Sequence, residues 1–370
     1  MIDRRRFLQK TSLGIAVVPA IASAAAGESW QKTQAPIEDR LTIDTLCSDG
    51  PYFDPKDAVK AGLNAAVVDL LAYPRNFSIA IEAIVEWNAE LRKKDSGWMR
   101  ILKADDLLEA RRSGRFGVIL ACQDGAILDA STGSVDDRNL QKLAFFYDAG
   151  LRVLQITHNE RNGLGDSFRE KVDGGLSRLG ESVVREMNGL GMLVDLSHCG
   201  DKTTLDAIAL SKKPSAVTHA GCRALQPTAR NKTDECIRAL AKAGGYFGIF
   251  NMSLWLNVKS TTSVDDVVDH IDHVVKVGGI DLPGFGSDHA VMGDPTPQEQ
   301  KVKSMRGYIE KNFGLPGAER YPDHITVPAL DSPNRMVNLA DALARRGYKG
   351  SEVDKILGGN FLRVFRSVAG

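Results

Sequence analysis

GMLVDLSHCG, residues 191–200, runs four apolar-leaning positions into an aspartate, a serine and a histidine. A short apolar run bounded by glycine has the length of a buried strand, and it leaves His198 at the strand's exit. Seven further runs have the same character: LTIDTLC (41–47), NAAVVDL (64–70), FGVILAC (116–122), RVLQITH (152–158), SAVTH (215–219), YFGIF (246–250) and LPGFGSD (282–288), which with MLVDLSH (192–198) makes eight. Several are nearly continuous in apolar residues, as expected of parallel strands covered by helices on one side and a packed interior on the other.

Helical patterns lie between them. Leu176, Leu179, Val183, Met187 and Leu190 fall on one stripe that ends at Gly191, predicting a helix over 176–190. Val264, Val267, Val268, Ile271, Val274 and Val275 repeat the pattern over 264–277, with Ser263 placed to cap and Gly278 to stop. Eight strand-helix units in about 250 residues predict an α/β fold of the closed (β/α)8 type, a TIM-type barrel, rather than an open doubly wound sheet. No GxGxxG opens a helix after the first strand, so a dinucleotide fold has no local support. The Pro- and Gly-rich stretch 290–333 is expected as a long irregular loop or lid.

With 370 residues, 43% hydrophobic and 25% charged, and a formal charge of zero, the chain has material for a full core but no electrostatic footprint for nucleic acid or for a charged membrane surface. A small-molecule partner is expected. Arg4-Arg5-Arg6-Phe7-Leu8, an uncharged run from Thr11 to Ala26 and Ala22-Ser23-Ala24 read together as a twin-arginine export signal over residues 1–26, which would engage the twin-arginine machinery and place the product in the periplasm. Its removal leaves 43 basic against 46 acidic residues, a charge of −3, and a single barrel domain over 27–370. The apolar run is too short to be expected as a stable membrane anchor. With five cysteines and no CxxC, the fold is not expected to rest on a disulfide framework.

In such barrels chemistry sits at the C-terminal ends of the strands, where His158, His198, His219 and Asp288 fall. His198 and His219 are 21 residues apart, one compact repeat, so they are expected on neighbouring strands within reach of one metal. Two neutral imidazoles, a carboxylate and a water form a typical catalytic zinc site. The alternatives are a core histidine for His158, a solvated loop charge for Arg230 and a turn aspartate for Asp288. His270 and His273, three apart on one helix, are read as a solvated face, and Cys47 and Cys122 as buried apolar groups rather than nucleophiles.

LAFFYDAGLRVLQITHN (143–159), GESVVREMNGLGMLVDLSH (180–198), RALAKAGG (238–245), GFGSD (284–288) and DKILGGNFLRVFR (354–366) closely resemble the membrane (renal) dipeptidase family of zinc peptidases. The likeness runs from about residue 115 to the C-terminus. It implies that His198 and His219 bind the second zinc, that His158 lies near the substrate, that Arg230 receives a terminal carboxylate and that Asp288 shuttles the proton. The chain departs from the family at its first strand: Leu46 and Ser48 stand where that family has His-x-Asp, and Asp124 replaces a bridging glutamate. Asp44, Cys47 or Asp49 could substitute, but strand alternation turns Cys47 away from the interior if Leu46 points in. One zinc, held by His198, His219 and Asp124, is therefore expected, in a hydrolase acting on amide bonds of dipeptide-like substrates. The competing reading is a catalytically impaired relative that binds a peptide or metabolite in the same cleft, and an oligomer is compatible with either.

Overall fold

The computed structural model describes residues 36–70, 75–130, 133, 135–257, 261–313 and 324–370. The export signal expected over residues 1–26 lies outside them. Among the described residues nine strands form: β1 (Ile43–Cys47), β2 (Ala65–Asp69), β3 (Trp98–Arg100), β4 (Phe116–Cys122), β5 (Leu151–Gln155), β6 (Leu193–Asp195), β7 (Ala216–Ala220), β8 (Tyr246–Ile249) and β9 (Pro283–Phe285). Eight of them run β1-β2-β4-β5-β6-β7-β8-β9 with every pairing parallel, and β3 lies off this path beside β4. The eight are the eight read from sequence. The barrel closes from β9 onto β1, where Asp288 N donates to Leu46 O at 2.9 Å and Ser48 N to His289 O at 3.1 Å.

Alternation along the strands sets up two apolar layers and one polar one. Ile43, Val67, Ala121, Val153, Leu193, Ala216 and Tyr246 pack inside the barrel against Phe361, Val364 and Phe365 of the C-terminal helix Asn360–Ala369. Their neighbours Ala66, Val68, Leu120, Leu154, Val194, Val217 and Phe247 face the surrounding helices, which is why these strands read as unbroken apolar runs. Two residues beyond Val67, Ala121, Val153, Leu193 and Ala216, the inward face carries Asp69, Gln123, Gln155, Asp195 and Thr218, all buried. This polar layer underlies the mouth of the barrel. Backbone approaches closely there: a Cβ on Gly248 would sit 2.0 Å from Thr218 O.

The helix Arg178–Leu190 buries Leu179, Val183, Val184 and Met187, begins where Ser177 Oγ accepts from Gly180 N at 3.0 Å, and ends at Gly191 with φ 86°. That left-handed turn, which glycine adopts without steric cost, feeds the chain directly into β6 and so fixes where His198 emerges.

A buried ion pair locks the seam. Arg335 Nη1 meets Asp44 Oδ2 at 2.9 Å, with both side chains inaccessible to solvent. Its remaining N–H groups go to Ser287 Oγ at 2.7 Å, Ser332 O at 3.0 Å, Val291 O at 2.9 Å and Ala290 O. All five guanidinium donors are used, as a buried arginine requires.

Three sequence expectations change. The segment 290–333 is not one irregular loop, because it contains the helix Gln298–Phe313 and a short 3₁₀ turn, Pro328–Leu330. β3 was too short to show any periodicity. His270 is buried rather than solvated: its Nδ1 accepts from Cys222 N at 2.8 Å and its Nε2 lies 2.9 Å from Leu256 O. His273 is partly buried and pairs with Asp234 at 2.7 Å. All five cysteines are buried free thiols.

Candidate active site

The mouth gathers side chains from four strands. His158 and His198 lie three residues past the ends of β5 and β6, His219 lies within β7, and Asp288 lies three residues past β9. The rings of His158 and His198 stack with centroids 4.4 Å apart. His198 Nε2 and His219 Nε2 face each other at 2.9 Å. Behind them, His198 Nδ1 meets Asn159 Oδ1 at 3.1 Å and His219 Nδ1 meets Thr218 Oγ1 at 2.9 Å.

Burial, and then the charge of Arg230, hold His198 and His219 well below the ordinary imidazole pKa. Burial also lowers His158 strongly, with help from Arg75 and Arg230. All three are therefore neutral at physiological pH, the state in which imidazole binds metal.

Arg230 is not a solvated loop charge, since it is only 1% exposed. Its Nη1 donates to Ser197 O at 2.8 Å, and its Nη2 reaches His219 O and His198 Nε2, each at 3.0 Å. Phe250, Phe168 and Trp255 surround the guanidinium, with ring centroids 5.2, 5.7 and 5.9 Å away. Burial lowers its pKa to about 10, so it stays charged at neutral pH. Its Nε is buried without a hydrogen-bond partner. A two-pronged grip on a ligand carboxylate through Nε and Nη2 requires Nη2 to leave His198.

Asp288 adopts φ 60°, an uncommon conformation for a residue other than glycine, and its backbone N–H closes the barrel seam. Burial raises its carboxyl to about 7, the nearby Arg230 opposes this, and Asp69, Asp44 and Asp195 add to it. A carboxyl poised near neutrality suits proton transfer in both directions.

Asp124 follows β4 and caps a 3₁₀ turn, its Oδ1 accepting from Ala126 N at 3.0 Å and from Asn162 Nδ2 at 2.8 Å. Burial raises its pKa. Among the described residues no three of His, Cys, Asp and Glu are clustered for a metal, so Asp124 is not brought together with the two histidines as a third ligand. The first-strand substitutes are also committed elsewhere. Asp44 belongs to Arg335, Asp49 Oδ2 accepts from Val291 N at 3.0 Å, and the Cys47 thiol, pushed far up by burial, lies 3.8 Å from Ser287 Oγ. Leu46 is buried in the barrel interior. The Cys122 thiol is likewise pushed up by burial, to about 12, which removes thiolate chemistry at neutral pH.

Two converging neutral imidazoles, each supported through Nδ1, are a donor set that fits one divalent metal. The positions of a first metal do not fit. Sequence reading passed over Asp195, Asn159 and Thr218 and the aromatic wall around Arg230. For Asp195 the signal was present: a charged residue on the inward face of MLVDLSH.

Residues 56–307 match the model of the membrane dipeptidase family, peptidase family M19. The dipeptidase tcpJ of Claviceps purpurea (strain 20.1) is 31% identical over 270 residues, covering 72% of this chain and 54% of that protein. The chain thus spans about half the length of that relative. Among solved structures, an amidohydrolase from Pseudomonas aeruginosa superposes with a TM-score of 0.76 at 25% identity, covering 90% of this chain and 98% of that one. A metallo peptidase from Rhodobacter sphaeroides, solved with a phosphinate mimic of the dipeptide L-Ala-D-Ala, shares the fold with a TM-score of 0.69 at 17% identity, over 89% of this chain and all of that one. The match extends across the strand ends that carry His158, His198, His219 and Asp288, and by it this chain belongs to the membrane dipeptidase family, M19.

Proposed function

We propose that this protein is an exported hydrolase that cleaves the amide bond of dipeptide-like molecules, with one zinc held by His198 and His219. The observation that carries the proposal is the convergence of two neutral imidazoles in the same mouth as a carboxyl poised near pH 7. Periplasmic location rests on the twin-arginine pattern of residues 1–26.

His198 and His219 would hold the zinc through their Nε2 atoms, and the ion would supply Lewis-acid polarisation of the scissile carbonyl. Asp288 takes a proton from the attacking water as its oxygen adds to the carbonyl carbon, and returns that proton to the amide nitrogen as the C–N bond breaks. His158, stacked on His198, flanks the substrate. Arg230 holds the terminal carboxylate through Nε and through Nη2 once the latter is released from His198. The donation of Nη2 to the very atom a metal would use also supports the second reading, a binding protein that retains the cleft without turnover.

Calorimetry with an unhydrolysable dipeptide analogue tests the proposed ligand class. The zinc-loaded protein should bind the free acid more tightly than its C-terminal amide by about 1.5–3 kcal/mol, the usual contribution of a hydrogen bond to a charged group. Arg230→Lys should lose much of that preference, because lysine keeps the charge but not the fork. Equal affinity for acid and amide in the wild type would refute a carboxylate-terminated ligand. Release of amino acids from the matching dipeptide separates hydrolase from binder.

A further inference from the structure

The fourth residue of VDLSH, Ser197, and the second, Asp195, form a closed network beneath the histidines. Asp195 is buried and accepts four hydrogen bonds. Oδ1 takes Ser197 N at 3.1 Å, Ser197 Oγ at 2.5 Å and Thr218 N at 3.1 Å, and Oδ2 takes Thr218 Oγ1 at 2.7 Å. Ser197 Oγ accepts in turn from His219 N at 3.1 Å.

Counting protons around Thr218 decides the state of His219. Burial raises the pKa of the Asp195 carboxyl, and the hydrogen bonds from Ser197 and Thr218 oppose that; in its ionised state the carboxylate can only accept, and a threonine hydroxyl has one proton. The proton of Thr218 is therefore spent on Asp195 Oδ2. Ser197 spends its own on Asp195 Oδ1, so its 3.1 Å contact with Thr218 Oγ1 supplies no donor. What Thr218 Oγ1 presents to His219 Nδ1, 2.9 Å away, is a lone pair. With Asp195 ionised, His219 carries its proton on Nδ1, which leaves Nε2 bare.

On the other ring, Asn159 Oδ1 accepts from His198 Nδ1, which leaves that Nε2 bare as well. The 2.9 Å approach of the two Nε2 atoms is then not a hydrogen bond between imidazoles. It is a convergence of two lone pairs, which calls for a cation. Arg230 Nη2 donates to one of them, and among the described residues no side chain donates to the other.

We infer that Asp195 is a positioning residue which, through the Thr218 hydroxyl, holds His219 in the Nδ1–H tautomer and so makes Nε2 a ligand atom. The inference rests on the metal reading above for its purpose, but not for the tautomer itself. Partners of this kind, one shell behind a metal-binding histidine, are typically worth about 10–100-fold in metal affinity.

The test uses nitrogen-15 NMR of the histidine side chains in the metal-free full chain, which distinguishes a protonated from a bare ring nitrogen, together with zinc titration of the same samples. Wild type and Thr218→Ser, which keeps the hydroxyl, should show His219 protonated on Nδ1. Thr218→Val and Asp195→Asn should shift His219 toward the Nε2–H form and weaken zinc binding by about 10–100-fold. Thr218→Val is close to isosteric and serves if Asp195→Asn fails to fold. His219 protonated on Nε2 in the wild type, or a tautomer unchanged in every folded variant, would overturn the inference. A wild type with the stated tautomer that takes up no zinc would refute the metal reading and leave the assignment of Asp195 standing.

Discussion

Asp288→Asn is expected to lower turnover by about 10²–10⁴-fold, the usual share of general acid–base catalysis, while the protein keeps its zinc. Asparagine nearly matches aspartate in shape and tolerates the positive φ at this position, so the change removes the proton acceptor and little else. In the wild type the rate should rise with pH as the carboxyl, held above the usual carboxylate range by burial, loses its proton and becomes able to accept one. The variant should lose that limb.

The same shift makes a stability prediction for the metal-free protein. The unfolded carboxyl ionises near 3.8 and the folded one near 7, because burial penalises the charge. Between those values the native state holds a proton that the unfolded chain has released. Asp288 therefore costs nothing below about pH 4, costs progressively more as pH rises to 7, and exerts its full destabilisation above that. Asp288→Asn should accordingly be more stable than wild type at pH 8 and equal to it at pH 4, as read by denaturant midpoints. A variant with wild-type turnover would remove Asp288 from the mechanism, and one destabilised at pH 8 would contradict the desolvation argument.

The second large effect is structural. Arg335→Met should destabilise the fold by about 3–5 kcal/mol, the cost of leaving a buried charge without its partner. Asp44 would stay enclosed with no cation beside it, and Ser287, Ser332, Ala290 and Val291 would each lose a donor at the seam between β9 and β1. Arg335→Lys should rescue only part of the loss, since three rotatable donors cannot replace five fixed ones. Urea unfolding measures both. A loss under about 1 kcal/mol for Arg335→Met, within the range of an exposed pair, would show that the seam does not depend on this contact.

The barrel was legible because parallel strands covered on both sides are written as continuous apolar runs, and all eight could be located from those runs. β3 was not, since three residues carry no period. The helix Gln298–Phe313 was hidden by its flanking prolines and glycines and by the lack of a clear apolar stripe. His270 could have been placed correctly: it stands three after Val267 and four before Val274, on the buried stripe of its helix.

At the site, spacing alone brought His198 and His219 together, because one compact repeat separates neighbouring strand ends. It could not show where Arg230 goes. Eleven residues past His219 the chain has turned back, and the aromatic wall and the backbone carbonyls that bind this guanidinium come from segments no local pattern connects. Asp195 was passed over because attention falls on the histidine at a strand's exit rather than on the carboxylate within it. In a strand enclosed on both faces, an inward-pointing aspartate has to be satisfied by its neighbours, and one of those neighbours, Thr218, also contacts His219.

The central claim is that one metal is held between His198 and His219. The most direct test is elemental analysis of the mature wild-type protein, of His198→Ala and of His219→Ala, with zinc counted per folded chain. The account predicts about one zinc in the wild type and none in either variant. Two tightly held metals per chain, or metal retained after loss of either histidine, would contradict it.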